Sequence, residues 1–209
     1  MNRNVVDLDQ AVIKFAGDSG DGMQLTGTLF SETAARTGND LATFPDYPAE
    51  IRAPQNTVAG VSGFQVHIGN NKIHTSGDYF DVLVAMNPAS LKANLKWTKR
   101  GGTVIVNADA FDGQSVAKAG YSANPLEDGS MDGYHVLKAP VGSLTREALS
   151  GTDADVKTKD KSRNMFALGM ILNLFNKSPE SAFTYLEEKF GKKPQTVRYN
   201  KLVLEAGYS

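Results

Sequence analysis

The chain has 209 residues, 22 basic against 23 acidic, with a formal net charge of -1, so no electrostatic bias toward nucleic acid or an anionic membrane is built into it. It has no cysteine, which excludes disulfides, thiolate zinc sites and cysteine-ligated iron–sulfur clusters within the chain. The length suits one or two α/β domains, and a domain of this size buries roughly 70% of its unfolded surface and needs no staple to fold.

The N-terminal stretch MNRNVVDLDQ carries acidic residues and no long apolar run, unlike a signal peptide. No segment approaches the ~20 apolar residues of a membrane span. A cytoplasmic protein with no membrane and no nucleic-acid partner is expected. Ala11 to Gly17 is a nearly continuous apolar run broken only by Lys14, which predicts a strand buried on both faces of a parallel sheet. A glycine-rich turn, Gly17-Asp18-Ser19-Gly20-Asp21-Gly22, leads into a helical pattern over 23–37. Residues 40–44 predict a second strand, completing a βαβ opening. Residues 45–57 (PDYPAEIRAPQNT) hold three prolines and predict an irregular, functional loop.

Residues 58–68 are β-rich, and Gly69-Asn70-Asn71 predicts a hairpin turn into Lys72-Ile73-His74. A buried strand follows at 80–86, then a helix over 90–99 capped by Ser90, and a strand at 103–107. Tyr134 to Leu137 is a weaker strand. Residues 150–162 are charged and almost without apolar side chains, which predicts a solvated loop. A strong helical pattern covers 163–175. A second helix opens at Pro179 with Ser178 as its cap and closes at Gly191 and Pro194. The remaining segment predicts a short helix that stops after Gly207. These elements predict an α/β fold: a three-layer sandwich, Rossmann-like, with a mostly parallel sheet, a β-hairpin, and C-terminal helices (163–190) packed outside.

The glycine turn is the most informative segment. Glycines between strand and helix let backbone amides approach a ligand, and a helix N-terminus favours an anion. The spacing is GxxGxG, however, and its two aspartates would repel a pyrophosphate; a plain tight turn is the competing reading. Asp18 and Asp21 could ligate Mg²⁺ only if a phosphate supplied further ligands. Gly17, Ser19, Gly20 and Gly22 are the candidate cofactor-binding residues here, joined by Asn87 at the end of the 80–86 strand. Arg52, set between Ile51 and Ala53-Pro54, could hold a guanidinium toward a carboxylate or phosphate, or could pair internally with Glu50 or Asp46. His67 reads as a satisfied side chain on one face of its strand. No catalytic residue and no metal ligand is assigned.

The segments FAGDSGDGMQLTG (15–27), GNDLATFPDYPAEIRAPQNTVAGVSGFQVHIG (38–69), DVLVAMNPASLKANL (81–95) and RNMFALGMILNLF (163–175) together resemble the N-terminal γ-type domain of the α subunit of 2-oxoglutarate:ferredoxin oxidoreductases. The resemblance implies an enzyme that oxidatively decarboxylates a 2-oxoacid with coenzyme A to acyl-CoA and carbon dioxide. It implies thiamine diphosphate, Mg²⁺ and [4Fe-4S] clusters in the assembled complex, carried by partner α and β subunits or domains, and ferredoxin as electron acceptor. In that likeness residues 1–209 are expected to form a single γ-type domain, without the thiamine-binding domains. By itself the chain is expected to be inactive, serving subunit assembly and the access of coenzyme A. An interface patch is expected around Phe44, Tyr47 and Phe64. A stand-alone NAD(P)-binding oxidoreductase and a purely structural interaction module are the alternatives.

Overall fold

The computed structural model describes residues 6–47 and 60–209. Strand β1 (Gln10–Asp18) is followed by α1 (Met23–Arg36), β2 (Asp40–Asp46), β3 (Val61–Gly69) and β4 (Phe80–Ala85). After these come α2 (Pro88–Asn94), β5 (Thr98–Asn107), α3 (Gly113–Lys118) and β6 (His135–Ala139). Five helices close the described chain: α4 (Val141–Ala148), α5 (Val156–Lys161), α6 (Arg163–Leu174), α7 (Glu180–Phe190) and α8 (Pro194–Tyr208).

The six strands form one sheet in the order β2-β3-β1-β4-β5-β6. All run parallel except β3, which is antiparallel to both β1 and β2. The mostly parallel α/β sandwich is therefore present. One face packs Ile13, Phe15, Val66 and Val84 against α1, α6 and α8, through Phe30, Leu168 and Leu204. The other packs Val12, Ala16, Leu83 and Val104 against α2 and α3, through Leu91 and Val116. β1 is buried from Ala11 to Gly17, as its unbroken apolar run requires. Lys14 is only 4% exposed in that strand, and its Nζ reaches Asp46 Oδ2 at 3.0 Å.

Several expectations need correction. The predicted hairpin does not form, because β3 is flanked by β1 and β2 and has no free edge for residues 72–74. The segment after β3 is instead pinned by side chains. Gln65 Nε2 donates to Ser76 O (2.7 Å) and Gly77 O (2.6 Å), and Ile73 N donates to Asp40 Oδ2 at 2.6 Å. His67 is satisfied as expected, its ring nitrogens facing Thr75 O at 2.7 Å and Gln10 Oε1 at 3.0 Å.

The cap of α2 is Asn87 and not Ser90; the two form a reciprocal capping box, with Pro88 in the first turn. Residues 150–162 are not simply loop: Asp155 Oδ1 accepts from Thr158 N at 2.8 Å and starts α5. As expected, α7 ends at Phe190 before Gly191 and the last helix stops at Tyr208, one residue past Gly207; the difference is that α8 already begins at Pro194. Ser178 does not cap α7 in the usual way: Pro179 stands at the cap position, and Ser178 Oγ only accepts from Glu180 N at 3.3 Å. Helix α6 does not sit outside the core. Met165, Leu168, Ile171 and Leu172 are fully buried in it. Among the described residues, no helix is long and apolar enough to cross a membrane.

Candidate functional site

The connection from β1 passes through α1 to β2, on one side of β1, while β4 passes through α2 to β5 on the other. Neighbouring parallel strands whose connections diverge leave a crevice beyond their carboxyl ends, the usual ligand position in such sheets. In this protein the crevice lies between β1 and β4. It is lined by Asp18, Asp21, Asn87, Asn107, Ser115 and Arg163 and has a volume of about 190 Å³.

The glycine turn forms its rim. Asp21 N donates to Asp18 O at 2.9 Å, and Asp21 Oδ2 accepts from Asp18 N at 2.8 Å, closing the turn on itself. Gly17 leaves the room for this arrangement, since a Cβ there would sit 2.8 Å from Asp21 Oδ2. Gly22 caps α1 with a φ of 72°, and a Cβ there would sit 2.5 Å from Asn164 Nδ2 at the start of α6. Ser19 and Gly20 are exposed, and a Cβ at Gly20 would meet nothing within 4 Å. Asn87 is drawn to the same place. Its Oδ1 accepts from Ser90 N at 2.8 Å, and its Nδ2 donates to Asp18 Oδ1 at 2.9 Å.

Of the six residues singled out in the sequence, Asn87 lines the crevice, while Gly17, Ser19, Gly20 and Gly22 belong to the turn that carries its Asp18 and Asp21; Arg52 lies outside the described residues. Its nominal internal partner Asp46 is engaged with Lys14. Three further residues carry the site's chemistry. Asn107 closes β5 as Asn87 follows β4, an amide at the end of an apolar run in both cases, which is a signal the sequence did offer. Ser115 and Arg163 come from α3 and the start of α6 and have no local signature. Asn107 is 2% exposed; its Nδ2 donates to Met86 O at 3.4 Å, while its Oδ1 has no partner among the described residues.

The electrostatics are acidic. Burial pushes the Asp21 carboxyl above its ordinary value, and the neighbouring Asp18 adds to the rise. The Asp18 amide and Arg163, whose Nη2 lies 3.8 Å from Asp21 Oδ1, act in the opposite direction. Two carboxylates against one guanidinium leave the crevice net acidic. A Mg²⁺ site is not supported: among the described residues no group of three or more His, Cys, Asp or Glu could hold a metal.

The expected interface patch is split. Phe44 (54%) and Tyr47 (66%) are exposed, but Phe64 is buried (8%), because its ring fills the space over Gly27 of α1. Trp97 and Tyr79 are exposed as well, their ring centroids 6.1 Å apart.

Residues 12–209 match the family model described as pyruvate ferredoxin/flavodoxin oxidoreductase. The chain is 48% identical over 202 residues to the 2-oxoglutarate oxidoreductase subunit KorA of Mycobacterium tuberculosis, covering 97% of this chain and 31% of that protein. A 2-oxoglutarate:ferredoxin oxidoreductase from Magnetococcus marinus, solved with 2-oxoglutarate, coenzyme A and succinyl-CoA bound, superposes with a TM-score of 0.73 at 25% identity. That match covers 96% of this chain and 31% of the other. The gamma subunit of a keto/oxoacid ferredoxin oxidoreductase from Geobacter sulfurreducens shares the fold, with a TM-score of 0.66 at 19% identity, covering 95% of this chain and 96% of that one. The chain thus spans about a third of the length of the longer relatives and nearly all of a gamma subunit. With a family match over almost its whole length and the same α/β fold as those subunits, the chain belongs to the pyruvate ferredoxin/flavodoxin oxidoreductase family.

Proposed function

We propose that this chain is the γ-type portion of a thiamine-diphosphate-dependent 2-oxoacid:ferredoxin oxidoreductase acting on 2-oxoglutarate. Such an enzyme oxidatively decarboxylates a 2-oxoacid with coenzyme A, giving acyl-CoA and carbon dioxide. The observation that carries the reading is the 48% identity to a 2-oxoglutarate oxidoreductase subunit across 97% of this chain. In this reading the enzyme is cytoplasmic. The thiamine diphosphate, Mg²⁺ and [4Fe-4S] clusters belong to partner domains or subunits, and ferredoxin takes the electrons. The absence of any cysteine in this sequence accords with that division of labour.

The domain's own part is assembly, with the glycine turn and Asn87 on the surface that faces partners. Contact with coenzyme A, in this reading, falls to Arg52 in the 45–57 segment, because a guanidinium can take a phosphate in a bidentate grip. Arg52→Ala in the assembled enzyme tests this. The Michaelis constant for coenzyme A should rise about tenfold with turnover little changed, the signature of lost uniform binding. If both constants stay as in the wild type, the direct contact is wrong and assembly alone remains. Titration of the isolated chain with NAD is the control for the stand-alone dehydrogenase alternative, and it should give no saturable heat.

A further inference from the structure

From Val82 to Ala108 the chain carries four cations, Lys92, Lys96, Lys99 and Arg100, and no carboxylate, although the whole chain has a net charge of -1. The four run from α2 through the turn Leu95–Trp97 into the start of β5, and all are exposed. Lys99 Nζ lies 2.7 Å from Asp81 Oδ1. Among the described residues, the other three meet aromatic rings and no carboxylate. Lys92 Nζ stands 5.0 Å from the Tyr121 ring centroid, Lys96 Nζ 5.2 Å from that of Trp97, and the Arg100 guanidinium carbon 5.1 Å from that of Tyr134. The loop before β6 passes alongside, Gly101 N donating to Gly133 O at 2.7 Å, yet its Glu127, Asp128 and Asp132 pair with none of the four.

An aromatic ring steadies a cationic side chain without neutralising its charge. This ledge therefore keeps its positive excess on side chains whose rotamer freedom is already reduced, and less order has to be imposed when an ion pair forms there. The exposed rings of Trp97 and Tyr79 lie in the same stretch, their centroids 6.1 Å apart. Trp, Tyr and Arg are the residues that most often anchor protein interfaces. The cations lean on three separate rings and do not converge on one point, which suits a spread of carboxylates better than a single phosphate group. Nucleic acid calls for a basic balance that this chain lacks. We propose that this ledge docks an acidic protein, one that presents several carboxylates around an apolar contact for Trp97 and Tyr79. Docking here is separate from the reaction assigned above.

The test uses the full chain at low salt, with a dye-labelled oligoglutamate peptide as probe. Anisotropy of the dye reads binding, and the emission of Trp97, the one tryptophan of the chain, reads its place. Both signals should saturate together and weaken as salt is raised. Reversing Lys96 and Arg100 to Glu should lower the affinity about tenfold, as lost and inverted rim charges do. Reversing Lys157 and Lys161, exposed lysines of α5, makes the same change in net charge and should leave the affinity as it was. If the Arg100 substitution prevents folding, Lys96→Glu alone decides, with a loss of about threefold. Binding that is absent, unsaturable, silent at Trp97 or equally sensitive to the α5 reversals would overturn the proposal. So would an oligoglutamine peptide binding as well. Displacement of the peptide by equimolar pyrophosphate, coenzyme A or an oligonucleotide would assign the ledge to phosphates and overturn it too.

Discussion

Gly169 lies in the middle of α6, where α8 crosses closest. A Cβ placed on it would sit 2.2 Å from Leu204 O, 2.7 Å from Tyr208 N and 2.8 Å from the carbonyl carbon of Gly207. The contact is reciprocal, since a Cβ on Gly207 would sit 2.1 Å from Phe166 O. Every one of these neighbours is backbone, so no side-chain rotation relieves Gly169→Ala. Ordinary contact begins near 3.4 Å, and α8 would have to move away by roughly 1 Å. That movement loosens Val203 and Leu204, both fully buried beneath it.

Overpacking of this kind costs about 1–3 kcal/mol. Removing a glycine from a helix interior returns up to about 1 kcal/mol. Because the clash is backbone against backbone, the cost belongs at the upper end, leaving a net loss of about 2 kcal/mol. With a urea dependence of about 2 kcal/mol per molar, the unfolding midpoint should fall by about 1 M. Equilibrium unfolding followed by far-ultraviolet circular dichroism measures this. Gly151→Ala is the control, as nothing lies within 4 Å of its added Cβ. A Gly169→Ala midpoint equal to or above the wild type would refute the close-packed α6–α8 contact.

Asp21→Asn tests the electrostatics of the turn. Burial, with Asp18 adding to it, raises the folded-state pKa above 3.8, so the folded protein holds this proton to higher pH than the unfolded chain does. Stability from this group is complete below the unfolded value and is lost as pH rises through the folded one. The amide variant should match or exceed the wild type in melting temperature at neutral pH, and the difference should vanish toward about pH 3. A deficit confined to neutral pH would contradict the assignment. The Lys14–Asp46 pair should be asymmetric, because Lys14 is buried while the Asp46 side chain is 51% exposed. Asp46→Asn strands a buried ammonium and should cost about 1–3 kcal/mol, whereas Lys14→Met frees a carboxylate to water and should stay within about 1 kcal/mol. Denaturant titration giving the reverse order would show that the buried charge is not what the pair protects.

The sheet was legible where one strand's environment was uniform. The apolar runs 11–17, 80–86 and 103–107 predict buried parallel strands, and each became one. β3 was harder, because its position between β1 and β2 is a long-range choice that no neighbouring residue encodes. Lys72-Ile73-His74 looked like its hairpin partner only in the absence of β2. Helix boundaries failed where a polar side chain, not periodicity, made the decision: Asn87 and Asp155 start helices that apolar spacing alone does not mark. Gly207 marks the end of α8 to within one residue, and its missing side chain also admits Phe166 O. At the site, the glycine turn and Asn87 were visible as strand-end residues. Arg163 was not, because it enters from a helix far along the chain.

The placement of β3 also governs how quickly this domain can reach its native state. β1 is the centre of the sheet, yet Val12 pairs with His67 and Ile13 with Val82, and β2 can join only once β3 lies between them. Most of the sheet's closing contacts are thus far apart in sequence, and the loop entropy for them is lost before any pairing rewards it. Folding in milliseconds to seconds, rather than microseconds, follows from that wiring. During that interval β1, an apolar strand with both edges open, is the segment most exposed to pairing with the wrong chain.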